Sequence, residues 1–303
     1  MAELIKGEAS MSPDRFRELH EANIAGASAR LTSLVEINPK IPLYNFEDMQ
    51  QLLAGDPDVL QMIVDVFNIS RPGESDQTLD TLEVFTHVPN KDFFTVYPEE
   101  PYVGPNGRAY KRLTKYFPEH ATADLNALIA AANETIAENT PDGDPVRPGL
   151  LIDSGYRSPW YQTVIILRMM AKYGINEAFN YASLAGRSQH SDPMKPAVDF
   201  AVMGDAHGTR VIDPDTGKPD DNISFENSLE FYALLEHGPA HGFWLPYHPN
   251  PADPLSPISP AGIKVEFWHW QYVGREIAAK LMALHGVYEA ATARKTLRSN
   301  QAK

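Results

Sequence analysis

Residues 263–274 read IKVEFWHWQYVG, a run whose β-branched and aromatic residues predict a buried β-strand. Two polar residues, Glu266 and His269, interrupt it. A carboxylate and an imidazole are costly to bury unless another group pairs with them or binds them. The pattern alone leaves a second interpretation open, in which Glu266 faces solvent and His269 is only hydrogen-bonded on a half-exposed strand.

Polar residues also interrupt or follow two other predicted strands. The segment AVDFAVM at 197–203 carries Asp199, and LLIDSGY at 150–156 is followed by Arg157. His190 lies in the polar segment GRSQHSD. Taken singly, each has an ordinary alternative: Asp199 as an edge-strand or turn carboxylate, Arg157 as a surface arginine, and His190 as a loop histidine.

The first part of the chain reads as helical. Residues 13–35 and 46–68 carry apolar residues at spacings of three and four, as amphipathic helices do. The Pro/Gly/polar stretch SRPGESDQ, which begins at Ser70, then breaks the pattern and predicts a boundary. We therefore expect three parts: an N-terminal helical segment at 1–75, a second domain at 76–290 and a C-terminal tail at 291–303.

Helical patterns alternate with the strands in the second domain. The Ala-rich stretch 121–139 begins with Thr and Asp residues that can cap it, and 158–174 ends at the stop glycine Gly174. Two more helices are predicted at 225–242 and 275–286. The expected fold is α+β, with a small antiparallel sheet flanked by helices and an additional N-terminal helical segment.

Composition excludes several classes of protein. A formal net charge of −14 argues against a general nucleic-acid binder or an anionic-membrane binder, since either needs a basic surface. The chain has no cysteine, so any metal must be bound by His and carboxylates. Because neither a signal-peptide h-region nor a run of about 18 apolar residues occurs, we expect cytoplasmic synthesis and no membrane span.

Three motifs together resemble the VanY-like D-alanyl-D-alanine carboxypeptidase family. They are SGYRSPWYQ from residue 154, SQH…AVD from residue 188, and EFWHWQYVG from residue 266. That family is related to D-Ala-D-Ala dipeptidases and to phage L-alanyl-D-glutamate endopeptidases. The resemblance covers roughly residues 80–287 and implies that the small sheet carries a site for one Zn²⁺ per chain.

The resemblance also implies roles for individual residues. His190, Asp199 and His269 match the zinc ligands, Glu266 matches the catalytic carboxylate, and Arg157 matches the arginine that faces the substrate carbonyl. Three further motif positions would bind substrate: Ser154, Gln162 and Ser188. In such a site Glu266 would accept a proton from the metal-activated water and pass it to the leaving amine.

One motif departs from the family pattern. The usual run S-x-H-x-x-G-x-A-x-D is replaced by SQHSDPMKPAVD, with two extra residues and no glycine. Asp192 is therefore a rival ligand, but we predict Asp199, because a strand holds a carboxylate more rigidly than a loop does. We also predict a bulge or bend between Glu266 and His269, since a regular strand points residues three apart to opposite faces.

Rival catalytic motifs are incomplete. HEANI at His20 lacks the second histidine of H-E-x-x-H, no serine has Lys three residues later, and no G-x-S-x-G elbow occurs. His237 and His241 have helical ligand spacing, but Gly238 and Pro239 lie between them and break the helix.

The predicted function is a zinc metallopeptidase acting on peptidoglycan stem peptides, either as a D-Ala-D-Ala carboxypeptidase or as an L-Ala-D-Glu-type endopeptidase. The alternative is a non-catalytic, zinc-stabilised cell-wall-binding or phage-particle module on the same fold. The expected partner is a peptidoglycan peptide or a small D-Ala-containing peptide, with a possible docking partner for the N-terminal segment. The absence of an export signal in the sequence leaves four explanations open: release by lysis, delivery by a particle, a shortened sequence, or a cytoplasmic dipeptide substrate.

Overall fold

A computed structural model describes residues 11–69, 91–97, 102–103, 109–110, 114–140, 149–203, 211–212, 219–220, 225–262 and 264–301. The boundary predicted near residue 75 lies outside these residues. The α-helices of the described residues are α1 (Pro13–His20), α2 (Ile24–Ile37), α3 (Phe46–Leu52), α4 (Pro57–Phe67), α5 (Glu119–Asn139), α6 (Pro159–Tyr173), α7 (Ile175–Ala178), α8 (Leu229–His237), α9 (Arg275–Leu284) and α10 (Val287–Gln301). None of these helices combines the length and the apolar character that a membrane span requires.

The strands of the described residues are mostly short. They are β1 (Phe94–Tyr97), β2 (Tyr102–Val103), β3 (Ala109–Tyr110), β4 (Lys115–Pro118), β5 (Leu150–Ser154), β6 (Ala197–Met203), β7 (Val211–Ile212), β8 (Pro219–Asp220), β9 (Phe243–Trp244) and β10 (His269–Tyr272). The chain divides into two compact units, one made of Met1–Phe93 and Tyr156–Pro193 and the other of Phe94–Gly155 and Met194–Lys303.

The described residues of the first unit contain helices and no named strand, and an N-terminal helical segment is present, as predicted. Helices α3 and α4 contact α6 through aromatic rings: the centroids of Phe46 and Phe67 lie 4.6 and 4.3 Å from that of Trp160. In addition, the backbone N–H of Ser158 donates to the carbonyl of Pro42 at 2.8 Å. The N-terminal helices are thus packed directly on the helix that follows the SGYRS motif.

Helix α6 has the boundaries that its sequence predicts. The hydroxyl of Ser158 accepts from the N–H of Tyr161 at the start, and Pro159 occupies the first helical position. Gly174 ends the helix with φ 89°, a conformation that favours glycine. The two N-terminal helical predictions were too long, because a 3₁₀ turn at Glu21–Asn23 and a break after Leu52 divide each of them.

The second unit is built around β6. This strand pairs antiparallel with β5 and β10 and parallel with β7. Its side chains alternate: Val198, Phe200 and Val202 enter the hydrophobic core, which places Asp199 on the opposite face between two buried alanines. The α+β expectation is confirmed, and the small sheet is antiparallel except for the β6–β7 pair.

Two details of the second unit differ from the sequence prediction. Helix α5 begins after Pro118 without a side-chain cap, so the predicted Thr or Asp cap is wrong. The strand predicted for 263–274 is confined to β10 (His269–Tyr272), because Glu266 precedes a turn. The residues expected to form a C-terminal tail, 291–303, belong to α10 as far as Gln301.

Candidate metal centre

Three buried side chains form a group that could hold one metal ion. His190, Asp199 and His269 each offer one ligand atom, and these atoms all lie within 4.8 Å of one another. The residues are 3%, 4% and 4% exposed. The structure therefore brings together the three residues that the sequence predicts as ligands.

Asp199 and His269 face each other across two paired strands. They are register partners in the antiparallel β6–β10 pair, and His269 Nδ1 lies 2.9 Å from Asp199 Oδ1. Trp270, the next residue of β10, is fully buried in the core on the other face of the sheet. The alternation of both strands thus fixes the two polar side chains on one face.

Glu266 reaches His269 because the chain turns between them. The N–H of His269 donates to the carbonyl of Glu266 at 3.2 Å, and residues 267–268 form the turn. As a result, Glu266 Oε2 lies 4.0 Å from His269 Nδ1, and the glutamate side chain stays 26% exposed. The predicted bend is confirmed.

His190 lies in a 3₁₀ turn that hydrogen bonds shape from both sides. The hydroxyl of Ser188 accepts from the N–H of His190 at 3.3 Å. The N–H of Arg157 donates to the carbonyl of His190 at 2.9 Å. The backbone of His190 is therefore hydrogen-bonded to Arg157, the predicted catalytic arginine, and to Ser188, a predicted substrate-binding residue.

The two remaining predicted substrate-binding residues, Ser154 and Gln162, lie on different elements, β5 and α6. Ser154 ends β5 opposite Asp199, after an irregularity in register that follows Ile152. Gln162 lies on α6, is 1% exposed and donates from Nε2 to the carbonyl of Ser183 at 2.9 Å.

The rival ligand Asp192 is not part of the group of potential metal ligands in the described residues. It is buried near Tyr156, whose pKa is raised by burial and then by the negative charge of Asp192. The segment between His190 and Asp199 includes Met194, which is 66% exposed. This lengthened segment therefore reaches the surface at Met194 before it enters β6.

The second rival site does not form a metal cluster among the described residues either. His237 is the last residue of α8, and its Nε2 lies 2.8 Å from the hydroxyl of Thr135. His241 follows in a separate 3₁₀ turn that begins at Pro239.

Tyr247 is a residue of the site that the sequence reading did not single out. Its ring stacks on the imidazole of His269, with centroids 4.9 Å apart, and its carbonyl accepts from the N–H of Glu266 at 3.1 Å. The only signal was its place in the segment AHGFWLPYHP, which precedes the last motif. Its neighbour His248 is 2% exposed, and burial lowers the pKa of that imidazole.

The donor set fits zinc. Two imidazoles and one carboxylate are ligands that zinc accepts, and three protein ligands leave a fourth position for a water or a substrate atom. A second carboxylate, that of Glu266, lies beside His269, one of the three candidate ligands. This arrangement is the one that a metal-dependent hydrolase needs.

Comparison with known proteins gives the class a name. The family model described as VanY, D-alanyl-D-alanine carboxypeptidase, matches residues 119–275, just over half of the chain. The chain belongs to this family and is a zinc peptidase. No curated protein matches the sequence significantly.

Several solved structures are similar to parts of the chain at low identity. VanYB in complex with D-alanine-D-alanine is 22% identical over 62% of this chain and 84% of that chain, with a TM-score of 0.38. A mutant of the D,D-pentapeptidase VanY in complex with Zn(II) is 21% identical over 64% of this chain and 90% of that chain, with a TM-score of 0.38. The D,D-dipeptidase VanXYg in complex with a D-Ala-D-Ala phosphinate analogue is 19% identical over 70% of this chain and 69% of that chain, with a TM-score of 0.41.

Proposed function

We propose that this chain hydrolyses peptidoglycan stem peptides, as a D-Ala-D-Ala carboxypeptidase or as an L-Ala-D-Glu-type endopeptidase. The observation that supports hydrolysis best is the buried group of His190, Asp199 and His269, with the Glu266 carboxylate 4.0 Å from His269 Nδ1. Membership of a D-alanyl-D-alanine carboxypeptidase family supports the substrate class.

In this proposal His190, Asp199 and His269 hold one zinc ion. Bound zinc would supply Lewis acidity, which lowers the pKa of a coordinated water to about 7. Asp199 and His269 lie opposite each other on two hydrogen-bonded strands, so little rearrangement of these two residues is needed when the ion binds.

Glu266 acts as the general base and then as the general acid. Its carboxylate takes a proton from the attacking water and later gives a proton to the leaving amine. Its partial exposure of 26% lets it meet water and substrate, while the Tyr247 carbonyl holds its backbone. Proton transfer by a positioned side chain contributes about 10²–10⁴ in rate.

Arg157 stabilises the oxyanion that forms from the scissile carbonyl. A guanidinium is always charged and has a fixed fork of donors, which suits a developing negative charge. Ser154 and Ser188 bind the substrate beside the metal ligands. Ser154 lies opposite Asp199 in the paired strands, and the Ser188 hydroxyl accepts from the N–H of His190. The buried Gln162 contributes by holding the Ser183 carbonyl in the chain segment that leads to His190.

The N-terminal helices support the segment that carries Arg157 and His190. Phe46 and Phe67 pack on Trp160, and the Pro42 carbonyl binds the N–H of Ser158, one residue after Arg157. These contacts favour a scaffold role for residues 11–69. A docking partner for this segment would have to bind its outer surface.

Mass spectrometry of purified muropeptides tests the proposal. The zinc-loaded full chain is incubated with muropeptides that end in D-Ala-D-Ala, and a chelator-treated sample serves as the control. Loss of one D-Ala identifies a carboxypeptidase, and cleavage after L-Ala identifies an endopeptidase. Unchanged masses with stoichiometric zinc would refute hydrolysis of these peptides and favour the non-catalytic wall-binding module.

A further inference from the structure

Helix α10 carries a buried arginine on the face that packs on the core. Val287, Ala290 and Ala291 are at most 3% exposed, and Arg294 continues the same face at 5%. Its Nε donates to Glu226 Oε2 at 2.5 Å, and Glu226 is itself 4% exposed. Because buried charges are tolerated only when they are well paired, this contact fixes where the guanidinium lies.

The same guanidinium binds two backbone carbonyls of a neighbouring loop. One terminal nitrogen, Nη1, donates to Pro254 O at 2.7 Å and to Ser256 O at 2.9 Å. Arginine suits this arrangement, because its planar fork donates in several fixed directions at once, whereas lysine offers a single flexible ammonium.

Arg294 and the loop that it binds contact the two residues on either side of Glu266, Val265 and Phe267. The carbonyl of Pro257 accepts from the N–H of Val265 at 2.9 Å. The guanidinium carbon also lies 5.5 Å from the centre of the Phe267 ring, within reach of a cation–π contact. Arg294 therefore contacts Phe267 directly and restrains Val265 through the loop.

We infer that Arg294 is a positioning residue that sets the placement of the Glu266 carboxylate. It lies beyond residue 275, where the match to the family model ends, so this support comes from a helix outside the family's matched segment. The inference rests on the proposed function, in which Glu266 transfers the proton. A misplacement of about 1 Å in a catalytic group can cost about 100-fold in rate, which makes such support kinetically visible.

The test compares three variants of the full, zinc-loaded chain. Arg294→Met with Glu226→Gln removes both charges, so no buried carboxylate is left unpaired. Arg294→Lys keeps the positive charge opposite Glu226 but lacks the planar guanidinium that binds the two loop carbonyls. It is the variant to measure if the double variant folds poorly. Lys295→Met is the matched control, because Lys295 is the next cation on α10 and lies instead over the Tyr232 ring at 4.1 Å.

Three quantities are measured: kcat and KM on a D-Ala-D-Ala-terminated peptide, zinc content, and hydrogen exchange of the backbone around Val265 and Glu266. For the double variant we expect kcat to fall about 10- to 100-fold, with KM and zinc content unchanged and exchange at Val265 faster. Arg294→Lys should show a smaller change of the same kind, and Lys295→Met should behave as the wild type.

A wild-type kcat in the folded, zinc-loaded Arg294 variants would overturn the inference, even if their melting temperature fell, because a purely structural role lowers stability alone. Glu266→Gln is assayed in parallel to separate the two proposals. If it is inactive while the Arg294 variants are fully active, only this inference fails. If Glu266→Gln is fully active, the proposed role of Glu266 fails and the inference fails with it. If the zinc-loaded wild type releases no D-Ala, the proposed function itself fails.

Discussion

Replacing Asp199 by alanine should abolish stoichiometric zinc binding, whereas replacing Asp192 by alanine should leave it nearly intact. Both carboxylates are buried and follow His190, but only Asp199 lies in the His190–Asp199–His269 group. Asp199 is paired in β6 with β10 on one side and β5 on the other, so its carboxylate is fixed beside His269.

The size of the effect follows from the contacts of Asp199. Loss of a residue that only orients a ligand weakens metal binding about 10–100-fold, so loss of a ligand should cost at least about 100-fold. The metal-free protein should also lose about 1–3 kcal/mol, because His269 Nδ1 is buried and its partner Oδ1 at 2.9 Å disappears. Asp192→Ala should instead lower the raised pKa of Tyr156, since the Asp192 charge is the second cause of that shift after burial.

Zinc per chain is measured by atomic emission after dialysis, and affinity by competition with a chromogenic chelator. Circular dichroism of each variant confirms that the chain is folded. The reverse result, with zinc retained in Asp199→Ala and lost in Asp192→Ala, would refute the assignment. It would mean that the lengthened motif supplies its carboxylate from the loop and not from β6.

Two further predictions concern the second unit. Gly155→Ala should lower the free energy of unfolding in urea by about 1–3 kcal/mol, because a Cβ there would lie 2.2 Å from the Tyr116 carbonyl oxygen. An unchanged midpoint of urea unfolding would contradict this packing. Burial opposes ionisation of Asp124, but hydrogen bonds from Arg275 and Tyr272 hold the pKa of that carboxyl below its usual value. This contribution is present above about pH 4 and is lost as the pH falls through the folded pKa, so Asp124→Asn should reduce the free energy of unfolding at pH 7 and have a much smaller effect at pH 2. Equal losses at both values would show that charge is not the cause.

The sequence predicted those elements whose signals are local. Helix α6 was predicted to stop at Gly174, and it does; in the structure Ser158 caps its start and Pro159 occupies the first helical position. Strand β6 was predicted with its observed bounds, because alternating apolar residues surround one carboxylate. The three predicted ligands, which the structure brings together, were identified through motifs and not through periodicity, since each had an ordinary alternative when taken alone.

The sequence prediction missed some contacts between distant residues and also one local signal. The bend after Glu266 was predicted, but not that it would shorten the last strand to β10; the turn is held by the distant carbonyl of Tyr247 as well as by local hydrogen bonds. The break after Leu52 overrode an apolar pattern that continued into α4; the residues Gly55, Asp56 and Pro57 are the local signal that could have predicted it. The role of Arg294 could not be read from one residue in a polar helix.

The most direct measurement is the rate at which zinc-loaded wild-type protein and Glu266→Gln release D-Ala from a D-Ala-D-Ala-terminated peptide. The substitution is nearly isosteric and leaves His190, Asp199 and His269 intact, so both proteins should contain one zinc per chain. We expect the wild type to release D-Ala and the variant to lose about 10²–10⁴ in kcat. Equal rates in the two zinc-loaded proteins would contradict the role of Glu266 as the general base.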